Sequence, residues 1–110
     1  MIYTKDNPKL VNDVFNFRGI KTFTEVVKDK DGDIVYYLNG EYHREDGPAI
    51  ELHNGGKEWW LNGKTHREDG PAVESAHGGK YWWLNNNFYG ANDDFTNESW
   101  IRFVKLELLK

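Results

Sequence analysis

A 23-residue repeat constrains the fold of this chain more than any other feature. Residues 59–73 read Trp-Trp-Leu-Asn-Gly-Lys-Thr-His-Arg-Glu-Asp-Gly-Pro-Ala-Val, and residues 36–50 nearly repeat them 23 positions earlier. Residues 82–86 begin a third copy at the same spacing. A constant period of this length is typical of arrays in which each unit buries its apolar face against its neighbours. The 110 residues are therefore predicted to form one short array.

Each repeat contains two turn signals. The first is Asn-Gly at 39–40 and 62–63, replaced by Asn-Asn at 85–86, and these pairs favour the positive φ of a type I′ hairpin turn. The second is a glycine with the same period, as Gly32, Gly55 and Gly78. Two turns in 23 residues leave about two short strands per unit. We predict a mainly β protein, an antiparallel meander of 23-residue hairpin repeats.

The second strand of each unit is predicted to kink. Glu-Asp-Gly-Pro interrupts it at 45–48 and again at 68–71, and proline cannot donate a hydrogen bond to a sheet. Upstream, residues 22–27 are rich in β-branched side chains, and residues 14–17 contain apolar ones. Both segments are typical of strands.

The C-terminal segment has a different pattern. Thr96 is a suitable N-cap, and Trp100, Val104 and Leu108 share one helical stripe. The alternation of apolar residues also permits a final strand, but we favour a helix that covers the open end of the array. We divide the chain into an N-terminal lead-in with a degenerate repeat (1–21), the hairpin repeats (22–90) and a C-terminal capping helix (91–110).

Strand alternation separates the two rings of each aromatic doublet. Trp59 shares one face with Leu61, whereas Trp60 shares the other with Asn62. The face that carries the leucines is predicted to be the core. The other face is predicted either to be packed as well, so that one of the two aromatic faces lies against the helix, or to present a partly open row of rings, one from each repeat: Tyr37, Trp60 and Trp83.

Composition and charge exclude several functional classes. A net charge of −4 with mixed signs disfavours binding to nucleic acid or to an anionic membrane, because both require a basic face. The chain has no cysteine, which excludes disulfides and thiolate metal sites. It has no apolar run long enough to span a membrane and no signal-peptide pattern, so we expect a cytoplasmic protein.

The loop sequence His-Arg-Glu-Asp offers groups that can bind metals or transfer protons. It occurs twice, at 43–46 and 66–69. Because a catalytic site is normally assembled once, its recurrence favours a structural role, with an arginine–carboxylate ion pair and a carboxylate that accepts loop amides. We predict no catalytic residue, no metal ligand and no cofactor. The residues assigned to structural loops are His43, Asp46, Gly47, Pro48, His66, Asp69, Gly70 and Pro71.

The pattern Trp-x-x-Gly-x-x-His at 60–66 resembles the MORN repeat, a β-hairpin unit of the same length, although Arg67 stands where that family has glycine. Residues 64–72 and 41–49 are similar to the Asn-Gly-Lys-x-His-Arg-Glu-Asp-Gly-Pro-Ala repeats of small proteins from tailed bacteriophages and giant viruses. The resemblance implies a MORN-like fold, a viral or phage origin and no assigned reaction. It also implies that Trp60 points to the core, whereas strand alternation places it on the open face.

These patterns favour a non-enzymatic protein–protein interaction module. From the resemblance we expect a small phage-encoded protein that binds and inhibits a bacterial host defence protein in the host cytosol. The predicted partner-binding residues are Tyr37, Trp60, Trp83, Arg44 and Arg67, since aromatic rings and arginines dominate interface hot spots. The alternative is a nucleotide- or small-ligand-binding module that uses the same rings and arginines. An enzyme built on the repeat loops is least favoured, and an open edge strand would permit a homo-oligomer.

Overall fold

Short strands are the most frequent regular elements of the computed structural model, which describes residues 3–4, 12–15 and 21–110 and the side chains of 25–110. The strands are β1 (Tyr3–Thr4), β2 (Asn12–Phe15), β3 (Lys21–Lys28), β4 (Ile34–Leu38), β5 (Glu41–Tyr42), β6 (Ile50–Glu51), β7 (Lys57–Glu58), β8 (Trp60–Leu61), β9 (Lys64–Thr65), β10 (Val73–Glu74), β11 (Lys80–Leu84) and β12 (Asn87–Ala91). A 3₁₀ turn (Asn92–Asp94) and helix α1 (Asn97–Leu108) follow. The predicted mainly β fold with a C-terminal helix is confirmed.

The strands of the main sheet follow one another in chain order, with short strands omitted from the path. The main sheet has the order β1-β3-β4-β6-β7-β10-β11-β12, with β2 paired to β3 and β5 paired to β4. These pairings are antiparallel except that β1 runs parallel to β3. β8 and β9 form a separate two-stranded sheet, because Trp59 lies between β7 and β8.

The hairpin turns have the predicted backbone conformation. Asn39 and Gly40 have φ of 51° and 85°, and Asn62 and Gly63 have φ of 51° and 77°, as a type I′ turn requires. The asparagine pair at 85–86 also has positive φ, of 48° and 68°. The glycine turns repeat as well, since the backbone N–H of Leu52 and that of Ser75 each donate across their turn at 2.8 Å.

The predicted kinks are present as irregular segments. β5 ends at Tyr42 and β6 begins at Ile50, while β9 ends at Thr65 and β10 begins at Val73. Each intervening segment contains one His-Arg-Glu-Asp-Gly-Pro loop. Since proline and glycine do not sustain a ladder of sheet hydrogen bonds, the chain leaves the sheet there and returns after seven intervening residues.

One of the glycine turns is linked to the turn of the preceding hairpin. Asp33 Oδ1 accepts the backbone N–H of His53 and contacts its Nδ1, both at 2.8 Å. The Asp33 carboxylate raises the pKa of His53 through this hydrogen bond and through its charge. The link holds consecutive turns side by side along the array.

The buried core lies at the third repeat, beneath α1. Trp82, Leu84, Trp100 and Val104 form one buried cluster. Thr96 caps the helix by accepting the backbone N–H of Ser99 at 3.1 Å. The helix is short, so the positions equivalent to Trp82 and Leu84 in the first two repeats are only half-buried. The core therefore forms where the helix docks and does not extend evenly along the array.

Most of the predicted lead-in at 1–21 lies outside the described residues, and so does the degenerate repeat as a whole. The described parts are β1, β2 and the start of β3. The predicted strand at 22–27 is present as β3. Within the described segments, no helix combines the length and the apolar character needed to cross a membrane.

Candidate functional site

The guanidinium group of Arg67, in the second repeat loop, contacts two carboxylates, a carbonyl and an aromatic ring. Arg67 donates through Nε to Asp69 at 2.9 Å, and through Nη1 to the carbonyl of Pro71 at 3.0 Å and to Glu74 at 2.9 Å. Its guanidinium carbon lies 3.8 Å from the ring centroid of Trp59, a cation–π contact. The loop thus closes on its own repeat, with the arginine over the indole.

The first repeat has the same network in a looser form. Arg44 donates to Asp46 at 2.9 Å, to the carbonyl of Pro48 at 3.2 Å and to Glu51 at 3.4 Å. It covers Tyr36 at 4.1 Å. The Arg44 guanidinium beside Asp46 holds the pKa of that carboxyl below its usual value. The predicted ion pair between a repeat arginine and a carboxylate is present in both copies.

The glycine that follows each loop carboxylate leaves room for the arginine. A Cβ on Gly70 would lie 2.8 Å from the guanidinium carbon of Arg67, and one on Gly47 would lie 3.1 Å from that of Arg44. Both distances are shorter than ordinary van der Waals contact. The Glu-Asp-Gly-Pro sequence therefore provides both the charge that pairs with the arginine and the space that it occupies.

The histidine of each loop connects its repeat to the next one. His66 is buried, its Nδ1 accepts the backbone N–H of Asn85 at 3.1 Å, and its Nε2 lies 2.8 Å from Glu68. His43 makes the equivalent bonds to Asn62 at 2.9 Å and to a loop carboxylate at 3.0 Å. A backbone N–H can only donate, so Nδ1 must be unprotonated and Nε2 carries the hydrogen of the neutral ring. Each histidine thus binds the hairpin turn of the following repeat.

Backbone hydrogen bonds reinforce this connection. The N–H of Arg44 donates to the carbonyl of Trp60 at 3.1 Å, and that of Arg67 donates to the carbonyl of Trp83 at 3.3 Å. The loops therefore join consecutive repeats, and their polar groups are engaged in that task. Across the described residues, no three His, Asp or Glu side chains are arranged to hold a metal ion.

The second ring of each doublet packs against another aromatic ring, in two groups along the chain. Tyr37 lies 5.3 Å from Tyr42, which lies 5.1 Å from Trp60, centroid to centroid. Trp83 lies 5.3 Å from Phe88 in the third repeat. We call these five residues the ring row. Burial raises the pKa of Tyr37, with smaller contributions from nearby Tyr42 and Glu25, so its phenol stays neutral at physiological pH.

The side chains of the ring row are half-buried except for that of Phe88, which is 53% exposed. In the third repeat Trp82 is fully buried and Trp83 is not, as strand alternation predicts. In the second repeat Trp59 and Trp60 are both half-buried. Trp60 is therefore neither a fully buried core residue, as the resemblance implies, nor an open one, as strand alternation predicts. The Arg67 guanidinium covers Trp59, and Tyr42 packs against Trp60.

The predicted partner-binding residues make two kinds of contact. Tyr37, Trp60 and Trp83 are in the ring row. Arg44 and Arg67 instead lie over the other ring of each doublet and are engaged by their own loops. Arg44 lines one pocket together with Tyr37 of the ring row, whereas the groove that Arg67 lines contains no ring-row residue.

Tyr42 and Phe88 were not predicted, although the sequence contains a signal for them. The turns after Leu38 and Leu84 place Tyr42 opposite Tyr37 and Phe88 opposite Trp83 in the strand register. Cross-strand partners share one face of a hairpin. Applied to the turn positions, this rule would have added both rings to the row.

The helix contributes a contact that no sequence pattern indicated. The indole N–H of Trp100 donates to the carbonyl of Arg67 at 2.8 Å, and its ring lies 5.4 Å from that of Trp82. The position equivalent to Arg67 in the third repeat is Gly90, 23 residues later. The helix therefore covers the aromatic ring that in the first two repeats is covered by an arginine.

Comparisons of the chain with protein-family models, with curated proteins and with solved structures found no match.

Proposed function

We propose that this protein is a non-enzymatic protein–protein interaction module that uses the ring row as a binding surface. Following the resemblance to phage-type repeat proteins, its partner is a bacterial host protein of the cytosol, which it inhibits. The proposal rests on the different roles of the loop side chains and the ring row. The chemically reactive groups of the loops hold the array together, whereas the ring row remains partly open.

The engagement of the loops argues against catalysis. His66 uses both ring nitrogens in contacts within the array, and the same arrangement recurs at His43. A general base or metal ligand needs a free nitrogen that faces the reacting group. The arginines are no better suited to a nucleotide, because each is already bound to two carboxylates of its own repeat.

The ring row has the chemistry of an interface. Tyrosine and tryptophan contribute large contact areas at low conformational cost and are enriched at hot spots. The indole N–H of Trp60 is held by Glu58 at 3.0 Å, which fixes the orientation of that ring. A rigid row of rings is pre-organised for binding and loses little side-chain entropy when a partner docks.

Removing rings from the row is expected to abolish capture of a host protein. The tagged protein is incubated with bacterial lysate, and a partner is accepted only if it is retained in stoichiometric yield. Trp60→Ala and Phe88→Ser are expected to weaken its retention by about tenfold or more, as hot-spot truncation does. Leu106→Ser is the matched control, because Leu106 is also an exposed apolar residue (66%) but lies on α1.

Thermal midpoints measured for all three variants separate lost binding from lost folding. Phe88 and Leu106 are both more than half exposed, so their substitution is expected to leave the midpoint nearly unchanged. Equal retention of the partner by the wild type and both ring-row variants would contradict the proposed surface. Failure to retain any partner would count against the proposed function itself.

A further inference from the structure

A groove lies between the two repeat loops, and no ring-row residue lines it. Its floor is formed by Trp59 and Leu61, and its volume is about 620 Å³. One wall is the 44–47 segment of the first loop and the other is the 66–69 segment of the second loop. It is therefore an open channel between consecutive units of the array.

The equivalent groove one repeat later is filled by the chain's own helix. A shift of 23 residues converts Trp59 and Leu61 into Trp82 and Leu84, which form the buried core with Trp100 and Val104 of α1. Trp100 anchors the helix by stacking near Trp82 and by donating to the carbonyl of Arg67. The structure thus contains an example of what this type of groove binds.

The first groove has backbone groups equivalent to those that receive Trp100 in the filled groove. The carbonyl equivalent to that of Arg67 belongs to Arg44. The backbone N–H of Arg67 donates to the next repeat at 3.3 Å, and that of Arg44 does so at 3.1 Å. The first loop therefore offers an acceptor at the place where the second loop receives the Trp100 indole. The anchor would meet Arg67, which lies over Trp59, and a guanidinium plane accepts an aromatic ring by stacking.

Charge distinguishes the first groove from the filled one. Its walls carry four carboxylates that are each more than half exposed, Glu45, Asp46, Glu68 and Asp69, and two guanidinium groups, Arg44 and Arg67, that are less exposed, so negative charge predominates. At the positions equivalent to Glu68 and Asp69 the third repeat has the uncharged Ala91 and Asn92. The occupant of the first groove must therefore be more basic than α1, whose two glutamates balance its arginine and lysine.

We propose that the groove between the two repeat loops docks a basic amphipathic helix of another protein, with one aromatic side chain as its anchor, in the way that α1 occupies the equivalent groove. The occupant's cationic residues face the carboxylates of both walls, its aromatic anchor stacks on the Arg67 guanidinium above Trp59, and its apolar stripe contacts Leu61. This surface is separate from the ring row and rests on the proposed function only in that the occupant is a protein. It gives the module a second contact with a partner.

The probe is a labelled 15-residue peptide with the sequence of residues 96–110, in which lysine replaces Glu98 and Glu107. Fluorescence anisotropy with the full chain is expected to give saturable binding with a dissociation constant below about 100 µM. Alanine in place of the peptide's tryptophan is expected to weaken binding about tenfold. This change leaves the protein itself untouched, so its effect does not depend on whether a protein variant folds.

Protein variants test the role of the acidic walls. The double variant Glu45→Gln and Glu68→Gln is expected to weaken peptide binding about fivefold or more and to reduce its salt dependence. The matched control, Asp31→Asn with Glu98→Gln, removes the same charge outside the groove and is expected to change binding less than about twofold. Equal effects of the two double variants would overturn the proposal, because the peptide would then be responding only to net charge.

The five tryptophan indole N–H signals locate the bound peptide in an NMR titration. The proposal predicts that the Trp59 signal shifts most. A dominant shift at Trp60 or Trp83 would overturn the groove while leaving the ring row as the binding surface. A dominant shift at Trp82 or Trp100 would mean that the peptide displaces α1. If the protein without peptide sediments as a dimer in which Trp59 is protected, the groove is occupied by a second copy of the chain. Both of these results overturn the proposal, as does absence of binding at about 1 mM peptide.

Discussion

Trp100→Ala is expected to lower the free energy of unfolding by about 4 kcal/mol. Large aromatic residues cost about 3–5 kcal/mol when truncated in a core. Trp100 is fully buried, stacks with Phe103 and contacts the rings of Trp82 and Phe95 at larger angles. Since a domain of this size has roughly 5–15 kcal/mol of stability, urea unfolding should show a marked decrease in the midpoint.

Two companion variants divide this loss into its causes. Trp100→Phe keeps a ring but removes the indole N–H, and leaving the Arg67 carbonyl unpaired is expected to cost about 1–2 kcal/mol. Leu109→Ala is the control, because that side chain is 82% exposed and just beyond α1; its effect should stay within about 0.5 kcal/mol. A loss of less than about 1.5 kcal/mol for Trp100→Ala would mean that the helix does not seal the core.

Arg67→Ala is expected to lower the free energy of unfolding by about 2–3 kcal/mol. The contact with Trp59 and the bond to the Pro71 carbonyl account for most of this value, at about 1 kcal/mol each. The pair with Asp69 adds little, because that carboxylate is largely exposed and screened by solvent. Arg67→Lys is expected to recover less than half of the loss, since an ammonium group cannot provide the planar fork that bonds several acceptors.

The first repeat supplies an internal comparison for Arg67. Arg44→Ala should cost less, about 1–2 kcal/mol, because its Nη1 lies 3.4 Å from Glu51 and its ring partner is Tyr36. The expected order is therefore Arg67 above Arg44 in urea unfolding. If Arg67→Ala unfolded like the wild type but lost partner binding, the arginine would belong to the interaction surface and its structural role would be contradicted.

The repeat period and the turn residues predicted most of the fold. Asn39-Gly40 and Asn62-Gly63 have the conformation that their residue types favour, because positive φ is a local property of asparagine and glycine. The capping helix was predicted from Thr96 and from an apolar stripe that are also local signals. Such features depend on a few adjacent residues and can therefore be identified from sequence.

The candidate site was less predictable, since it depends on where irregular loops return. The sequence indicated that Arg67 pairs with a carboxylate, but strand alternation does not describe the path of the 66–71 loop that places its guanidinium over Trp59. The burial of Trp82 and the half-burial of Trp59 also differ for a non-local reason, because α1 covers only one repeat. The change from Arg67 to Gly90 marks the repeat on which the helix docks, and it becomes informative only when the copies are aligned.

The central claim is that the loop histidines are structural connectors between repeats, and the protonation state of their rings tests it most directly. Nitrogen-15 NMR of the imidazoles of His43 and His66 at neutral pH is expected to show the fixed Nε2–H tautomer, with Nδ1 coupled through a hydrogen bond to the amides of Asn62 and Asn85. Imidazoles that exchange between both tautomers, with no coupling to those amides, would contradict the claim and return the His-Arg-Glu-Asp loops to the list of candidate reactive sites.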